Sequence, residues 1–408
     1  MIVPLIEAAA DTCGGKAGAL GALLRAGLPV PDGFVVSYAA YLAAARDLDL
    51  VRVAGDPDAA RQVIESSQVR ATVVDALRRA LDELGDPPVA VRSSAASEDT
   101  GQASAAGQHE SFLAVRGVSE VADAVRACWA SLFSPRAIDY RRDDQPSDDL
   151  AMAVLVQRHL DAEVSGVMFT PADSSDATQI EASWGLGPSV VGGTVTPDAY
   201  RVAEDGSVTR TVADKRTRLD RHGTRLVIRD VPAHARDQPT IDDATATQLA
   251  KLGEEIAAVR GGPQDIEWAI VDGRIWVLQA RPVTAAPPPP ASPSSASDTP
   301  AATLAGTPGS HGTVTGTVRI VRGPGDFARV RPGDILVCPF TDPAWTPLLR
   351  IAAGVITETG GVLSHAAIVA REHAIPAVLG VLNATSALRD DTVITLDGTT
   401  GTVAAEHA

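Results

Sequence analysis

The stretch that decides how this sequence folds is Ala285–Ala305, AAPPPPASPSSASDTPAATLA, in which proline, serine and alanine predominate. No packed core can form from these residues, and proline-rich segments adopt extended, semi-rigid conformations. We therefore predict a linker here, between a segment at 1–284 and a second one at 306–408. The linker is either a passive spacer or a tether that lets one domain travel.

The composition on either side of the linker favours folded domains. The 408 residues are 45% hydrophobic and 21% charged, and at about 100–200 residues per domain they accommodate two to four domains. No apolar run approaches the roughly 20 residues that span a bilayer. Three cysteines are too few for a disulfide framework, and the N-terminus lacks the basic flank of a secretory signal. We expect a cytoplasmic protein with no membrane partner, and the net charge of −16 argues against a nucleic-acid partner.

The two segments differ in their patterns. The first mixes helical stretches such as VRATVVDALRRALDEL with strand-like stretches such as PVAVRSS and LAMAVLVQRHL, which predicts an α/β (α+β) domain in two lobes. The second contains short β-branched runs bounded by glycine and aspartate, and one helical stretch, SHAAIVAREHA, before Pro376. This pattern predicts a small β-rich domain.

A glycine-rich turn near the N-terminus is the first candidate site. Gly14 and Gly15 lead into a predicted helix, so backbone N–H groups and the Lys16 ammonium could face an anion there. Lysine is rare in this chain, with three among 35 basic residues. Ala17 follows Lys16, which excludes a Walker P-loop. A glycine-capped surface helix is the alternative.

Arg92 is the second candidate, because it lies at the end of the predicted strand PVAVRSS. The small residues that follow lead through Gly107 to Ser111. Small side chains let backbone amides approach a phosphate, and the guanidinium offers a planar fork for its oxygens. A flexible surface loop is the alternative interpretation.

The hairpin PQDIEWAIVDGRIWVLQARP contains a candidate magnesium site. Strand alternation places Asp265 and Glu267 on one face, and the returning strand carries Gln279 and Arg281. Carboxylate and amide oxygens at such positions suit Mg²⁺, which takes a few protein oxygens together with nucleotide phosphates. An ordinary amphipathic hairpin is the alternative.

The length of the hairpin loop decides whether these side chains meet. A two-residue loop at Asp272–Gly273 would pair Glu267 with Leu278, whereas an odd-length loop would pair Glu267 with Gln279. We predict the odd loop. A two-residue type I′ turn would contradict the argument for the metal site.

The strongest candidate is His365, which follows Thr359, Gly360 and Gly361 at the predicted start of a helix. Neutral imidazole is a competent nucleophile at pH 7. A phosphoryl group placed on it would lie near a helix N-terminus, where the dipole and free N–H groups stabilise negative charge. A purely structural histidine is the alternative that the residues leave open.

Several blocks together resemble the dikinase family, which includes phosphoenolpyruvate synthase, pyruvate phosphate dikinase and rifampicin phosphotransferase. The blocks are GGKAGALGALLRAGLPVPDGF, VAVRSSAASED, ASAAGQHESF, EVSGVMFT, EASWGLGPSVVGGTVTPDAY, DIEWAIVDGRIWVLQARPV and TETGGVLSHAAIVAREHAIPAVLG. The resemblance implies a two-lobed ATP-grasp-like domain and a small swivelling phosphohistidine domain, with ATP and Mg²⁺ as cofactors.

The resemblance also implies a role for each matching residue. His365 corresponds to the phosphorylated histidine. The other correspondences are phosphate-binding Lys16 and Arg92, phosphate-loop Gly107 and Ser111, adenine-hinge Gln157, pocket-bordering Glu181, the Mg²⁺ and phosphate ligands Glu267 and Gln279, and the adjacent Asp265 and Arg281.

In the mechanism that the resemblance implies, His365 attacks the β-phosphate of ATP, releases AMP and, after loss of the terminal phosphate, carries the phosphoryl group to an acceptor. The 21-residue linker and the 43 residues after His365 are too short for an acceptor domain. We therefore expect an unknown small-molecule acceptor, bound by a separate acceptor subunit or by these two domains, unless the second half-reaction is absent. A phosphohistidine carrier or regulatory subunit of a multi-subunit synthase is the alternative function, and a nucleotide-binding remnant without turnover is a third.

Overall fold

The chain is described by a computed structural model over residues 1–50, 56–95, 110–135, 137–138, 151–172, 176–286 and 304–405. Helices and sheets both occur there, which confirms the α/β class. Most of the predicted linker, residues 287–303, lies outside the described residues, as does the predicted phosphate-loop residue Gly107.

The described helices include the predicted stretches VRATVVDALRRALDEL and SHAAIVAREHA, together with others that no sequence pattern predicted. They are α1 (Ala10–Arg25), α2 (Tyr38–Asp47), α3 (Pro57–Ser66), α4 (Ala71–Leu84), α5 (Val118–Ala130), α6 (Pro188–Val191), α7 (Asp243–Arg260), α8 (Thr346–Leu349), α9 (His365–Glu372) and α10 (Ala384–Ala387). Among the described helices, none combines the length and the apolar character that a membrane span requires.

The described strands include the predicted stretches PVAVRSS and LAMAVLVQRHL, the first of which continues to Ala95 so that Arg92 lies inside the strand and not at its end, together with others that no sequence pattern predicted. They are β1 (Ile2–Pro4), β2 (Gly33–Val36), β3 (Val89–Ala95), β4 (Ser111–Val115), β5 (Met152–Arg158), β6 (Val164–Phe169), β7 (Thr178–Trp184), β8 (Asp198–Val202), β9 (Val208–Thr211), β10 (Thr217–His222), β11 (Arg225–Asp230), β12 (Gln264–Val271), β13 (Arg274–Pro282), β14 (Leu304–Ala305), β15 (Thr307–Ser310), β16 (Thr313–Ile320), β17 (Ile335–Cys338), β18 (Gly354–Thr357), β19 (Ala377–Leu379), β20 (Val393–Asp397) and β21 (Thr402–Ala405).

Packing divides the chain into two compact units. Unit 1 consists of Met1–Glu163, Asp220–Ile228 and Lys251–Pro282, and unit 2 of Val164–Leu219, Arg229–Ala250 and Val283–Ala408. Unit 2 thus combines part of the segment before the linker with the segment after it. The three-part division at residues 284 and 306 stays a prediction.

Unit 1 is built on a five-stranded antiparallel sheet of order β1-β2-β5-β3-β4. Helices α2 to α5 pack on it through one apolar core. In α4 the buried residues Val73, Leu77 and Leu81 recur every four positions, as an amphipathic helix requires. The helix ends at Gly85, whose φ of 87° glycine adopts without strain.

The turn of the β12–β13 hairpin differs from the prediction. Val271 pairs directly with Arg274, so the loop has only two residues. Asp272 and Gly273 have φ values of 50° and 71°, as in a type I′ turn. The predicted odd-length loop is therefore wrong, because an Asp-Gly pair tolerates the two positive φ angles that the tightest hairpin turn needs.

A β-bulge nevertheless produces the predicted pairing. The register shifts directly after Glu267, so Leu278 has no partner, Glu267 pairs with Gln279 and Asp265 pairs with Arg281. One extra residue in a strand moves every later side chain to the opposite face. The bulge thus has the same effect on the register as the odd loop would have had.

Unit 2 contains the antiparallel strands β6 to β9 and an eight-stranded sheet of order β14-β21-β20-β16-β17-β18-β19-β15. In β17, Ile335 and Val337 belong to one apolar cluster, while Leu336 and Cys338 belong to another. Because strand residues alternate between faces, this sheet is covered on both sides. Helix α9 begins at His365, as predicted.

Candidate active site

Arg92 lies at the centre of the predicted phosphate site in unit 1. Its Nη2 donates to Gln279 Oε1 at 2.6 Å and to Glu267 Oε2 at 3.3 Å, and its Nη1 donates to the Leu278 carbonyl at 3.0 Å. The bulge at Leu278 thus serves two purposes, since it aligns Glu267 with Gln279 and presents a carbonyl to the same guanidinium. The side chains of Arg92 and Glu267 stay 14% and 24% exposed, so solutes can reach them.

Two of these oxygens form a possible magnesium site. The Glu267 carboxylate and the Gln279 amide oxygen converge on one cationic nitrogen of Arg92. One carboxylate and one neutral oxygen are the donors that Mg²⁺ accepts when phosphates and water complete its shell, so the residues present fit the ion. Within the described part of the chain, no group of three or more His, Cys, Asp or Glu side chains could hold a metal ion.

Lys16 lies beside the same strand as Arg92. Its ammonium donates to the Ser93 carbonyl at 3.3 Å, and Ala17 N–H donates to Ser94 Oγ at 3.1 Å. Helix α1 begins at Ala10, earlier than predicted, and is interrupted at Gly14, whose φ is 81°. A Cβ at Gly14 would lie 2.1 Å from the Ser94 carbonyl, so only glycine permits this close approach.

The other predicted site residues of unit 1 that the structure describes make contacts of their own. Asp265 and Arg281 form a buried ion pair of 2.7 Å. Gln157 is buried, and its amide donates to the Pro31 carbonyl at 3.1 Å. Ser111 begins β4 opposite Arg92. Their nucleotide-binding roles stay predictions.

His365 lies in unit 2 as the first residue of α9 and is only 5% exposed. Its Nδ1 lies 2.9 Å from the Thr341 hydroxyl, and its Nε2 lies 3.4 Å from the Thr346 hydroxyl. The tautomer in which Nδ1–H donates to Thr341 leaves a lone pair on Nε2, the form that a nucleophile needs.

Glu181, on β7 of unit 2, contacts the loop that leads to His365. We call Thr359–Ser364 the histidine loop. The Glu181 carboxylate accepts N–H hydrogen bonds from Val362 at 2.6 Å and from Leu363 at 3.1 Å. The role beside the nucleotide that the resemblance implies for Glu181 stays a prediction.

Burial raises the pKa of Glu181 from 4.5 to about 7, against the opposing effect of the two amides and of Arg371. Its carboxyl lines a cavity of about 410 Å³. Two basic residues, Lys215 and Arg216, and two other acidic residues, Asp214 and Glu358, line the same cavity.

This pKa predicts how stability depends on pH. A carboxyl whose folded-state pKa is raised binds its proton more tightly when folded, so its contribution is complete below about pH 4.5 and is lost as the pH rises through about 7. We expect the unfolding free energy of the wild type, relative to that of Glu181→Gln, to fall by about 1–3 kcal/mol between pH 5 and 8, and thermal unfolding at each pH measures it. The exposed Glu204→Gln variant is the control, and a difference that is constant with pH would contradict the prediction.

Sequence reasoning missed three features of unit 2. Thr341 and Thr346 contact the imidazole of His365, although neither is among the residues predicted from the sequence. Lys215 and Asp198 form a fully buried ion pair, and Asp198 also accepts hydrogen bonds from Thr240. The scarcity of lysine was the only available signal for Lys215, and nothing in the sequence indicated its partner.

Comparisons with known proteins identify the family to which the chain is similar. One family model, pyruvate phosphate dikinase, AMP/ATP-binding domain, matches residues 10–298, and another, PEP-utilising enzyme, mobile domain, matches residues 330–401. A probable phosphoenolpyruvate synthase of Methanothermobacter thermautotrophicus is 39% identical over 96% of this chain and 61% of that protein. The phosphoenolpyruvate synthase of Escherichia coli is 33% identical over 97% of this chain and 56% of that protein.

The chain therefore spans roughly three fifths of the length of these curated relatives. Among solved structures, the D-alanine-D-alanine ligase from Coxiella burnetii is 12% identical with a TM-score of 0.29, and the match covers 67% of this chain and 48% of that one. A likeness this distant supports no conclusion about function.

Proposed function

Since the chain belongs to the family of pyruvate phosphate dikinase AMP/ATP-binding domains, which confirms the resemblance seen in the sequence, we propose that it is an ATP- and Mg²⁺-dependent phosphotransferase of the dikinase type. The phosphoryl group passes from ATP through His365 to an acceptor, and AMP is the product. The observation that carries the proposal is the contact of Arg92 with both Glu267 and Gln279, which places a guanidinium beside oxygens suited to Mg²⁺.

The first step that we propose is the one that the resemblance to the family implies. His365 Nε2 attacks the β-phosphorus of ATP, the bond from that phosphorus to the α–β bridging oxygen breaks, and AMP leaves. Water or inorganic phosphate then removes the terminal phosphoryl group, which leaves phosphohistidine. Arg92 and Lys16 bind the phosphate oxygens, and their charges offset the charge that develops during transfer. Mg²⁺, held by Glu267 and Gln279, would supply further charge neutralisation.

The second half-reaction, in which phosphohistidine gives its phosphoryl group to an acceptor, is proposed from the relatives alone. Two of them are named phosphoenolpyruvate synthases, which makes pyruvate the first acceptor to test. We assign no residue of this chain to an acceptor site.

Labelled ATP tests the proposal directly. With Mg²⁺ and ATP labelled at the β-phosphate, we expect close to one label per chain, stable in base and labile in acid, together with AMP. ATP labelled at the γ-phosphate should leave no stable label. Absence of both label and AMP, or formation of ADP in place of AMP, would overturn the proposal.

A second stage distinguishes an enzyme from a carrier. Pyruvate added to the labelled protein should remove the label if this chain completes the transfer. Label that persists until a partner protein is added would instead support the phosphohistidine carrier.

A further inference from the structure

The histidine loop makes hydrogen bonds to β7 and to the segment that follows α6. Val362 and Leu363 donate their backbone N–H groups to Glu181, one to each carboxylate oxygen. Thr359 Oγ1 donates to the Gly193 carbonyl at 2.6 Å. The carboxylate is thus the shared acceptor for two consecutive amides just before His365.

Glycines make this approach close enough for hydrogen bonding. A Cβ at Gly361 would lie 2.2 Å from Glu181 Oε1, and a Cβ at Gly193 would lie 3.3 Å from the Ser364 Cβ. Protein atoms essentially never approach a Cβ to 2.2 Å, so a side chain at position 361 must displace the carboxylate. The contact therefore depends on the absence of a side chain at that position.

An apolar contact accompanies the hydrogen bonds. Leu363 and Ile368 belong to one buried cluster with four residues from the β6–α6 region, namely Val167, Phe169, Val190 and Val195. Together the two kinds of contact hold the start of α9 in place, and His365 is 5% exposed in this arrangement. A nucleophile this buried reaches a solute only after the residues that cover it move.

We infer that Glu181 is a latch: its carboxyl group holds the histidine loop on β7 through the amides of Val362 and Leu363, and His365 becomes accessible when the loop leaves it. The inference deepens the proposed function, on which it rests, because a phosphoryl group carried by His365 must be both received and delivered. Glu181 acts here as a positioning residue.

The hydrogen bonds of the latch add little to the cost of opening it. When the loop leaves, water replaces the Glu181 carboxylate at both amides and replaces the amides at the carboxylate, so no group is left unsatisfied. Removal of the carboxyl alone has a different effect, because it leaves two N–H donors without their acceptor in a buried position. Such a loop should open more often.

Hydrogen exchange and histidine modification test the latch without ATP. In Glu181→Ala we expect the exchange rates of the Val362 and Leu363 amides to rise at least about tenfold. Modification of His365 by diethylpyrocarbonate, located by mass spectrometry, should accelerate together with exchange. Glu204→Ala, which removes an exposed glutamate from the same unit, should change neither rate.

A double mutant separates the latch from a general loss of stability. Gly361→Ala should accelerate the same amides as Glu181→Ala, because the new methyl group displaces the carboxylate. Added to Glu181→Ala, it should have little further effect, because nothing is left to displace. Amides of the buried strand residues Ile394 and Leu396 should keep their protection in every variant.

The outcomes are distinct. Unchanged exchange at 362 and 363 in Glu181→Ala would overturn the latch even if β-phosphate labelling succeeds. An equal acceleration of amide exchange at Leu396 would mean that Glu181 stabilises the whole unit, and it would overturn the latch as well. A third outcome is that β-labelled ATP leaves no label while exchange at Val362 and Leu363 accelerates locally and the two substitutions are not additive. That result would count against the proposed function and would support the latch.

Discussion

Replacement of His365 by alanine is expected to reduce covalent labelling from β-labelled ATP to background. The attacking nitrogen is lost with the side chain, and the two hydroxyls that contact the ring nitrogens, those of Thr341 and Thr346, are much weaker nucleophiles than imidazole. AMP formation should stop as well. Nucleotide binding should persist, because Lys16 and Arg92 belong to unit 1 and His365 belongs to unit 2. The measurement is label per chain after rapid quenching in base.

His365→Gln provides the matched control for packing. His365 is nearly buried, so alanine leaves a cavity, whereas glutamine keeps most of the volume and an amide nitrogen that is not nucleophilic. Both variants should lose the label, and His365→Gln should keep the melting temperature closer to that of the wild type. Label that survives in both would move the phosphorylation site to another residue, with His373 at the end of the same helix as the first to examine.

Replacement of Arg92 is expected to have the second largest effect. Arg92→Ala should slow labelling of His365 by about 10²–10³-fold, the usual loss when one preorganised charge is removed from a transferring phosphoryl group. Arg92→Lys should recover only part of this rate. A lysine ammonium is a single point charge, whereas the guanidinium reaches Gln279, Glu267 and the Leu278 carbonyl at once. Single-turnover labelling at saturating Mg²⁺ and ATP measures the rate.

Arg116→Ala is the control for Arg92, since Arg116 is an exposed arginine of unit 1 that pairs with Asp86. It should leave the labelling rate unchanged. Arg92 also joins β3 to the β12–β13 hairpin, so melting temperatures must be measured in parallel. If Arg92→Ala lowers the melting temperature but slows labelling less than about threefold, Arg92 has a structural role only, and the phosphate site must lie elsewhere.

The hairpin shows how far sequence reasoning extends in this protein. Alternation placed Asp265 and Glu267 on one strand face, and the pairing of Glu267 with Gln279 was predicted correctly. The turn was predicted wrongly. The desired register can come from an extra residue in the loop or from an extra residue in the strand, and the register alone does not distinguish the two. The bulge at Leu278 is stabilised by a long-range contact, the Arg92 guanidinium on its carbonyl, and no local pattern indicates such a contact.

By itself, the sequence determined several of the elements and the residue types that lie on them. Helical periodicity located α4 and placed His365 at the start of α9, and strand-like runs placed Arg92 and Glu267 on strands, because these features depend on a few neighbouring residues. Only the tertiary structure decided that Arg92 contacts both Glu267 and Gln279 and that Glu181 holds the histidine loop. Glu181 and Val362 are 181 positions apart, and a contact over that separation depends on the packing of whole sheets and on the cost of burying a carboxyl group.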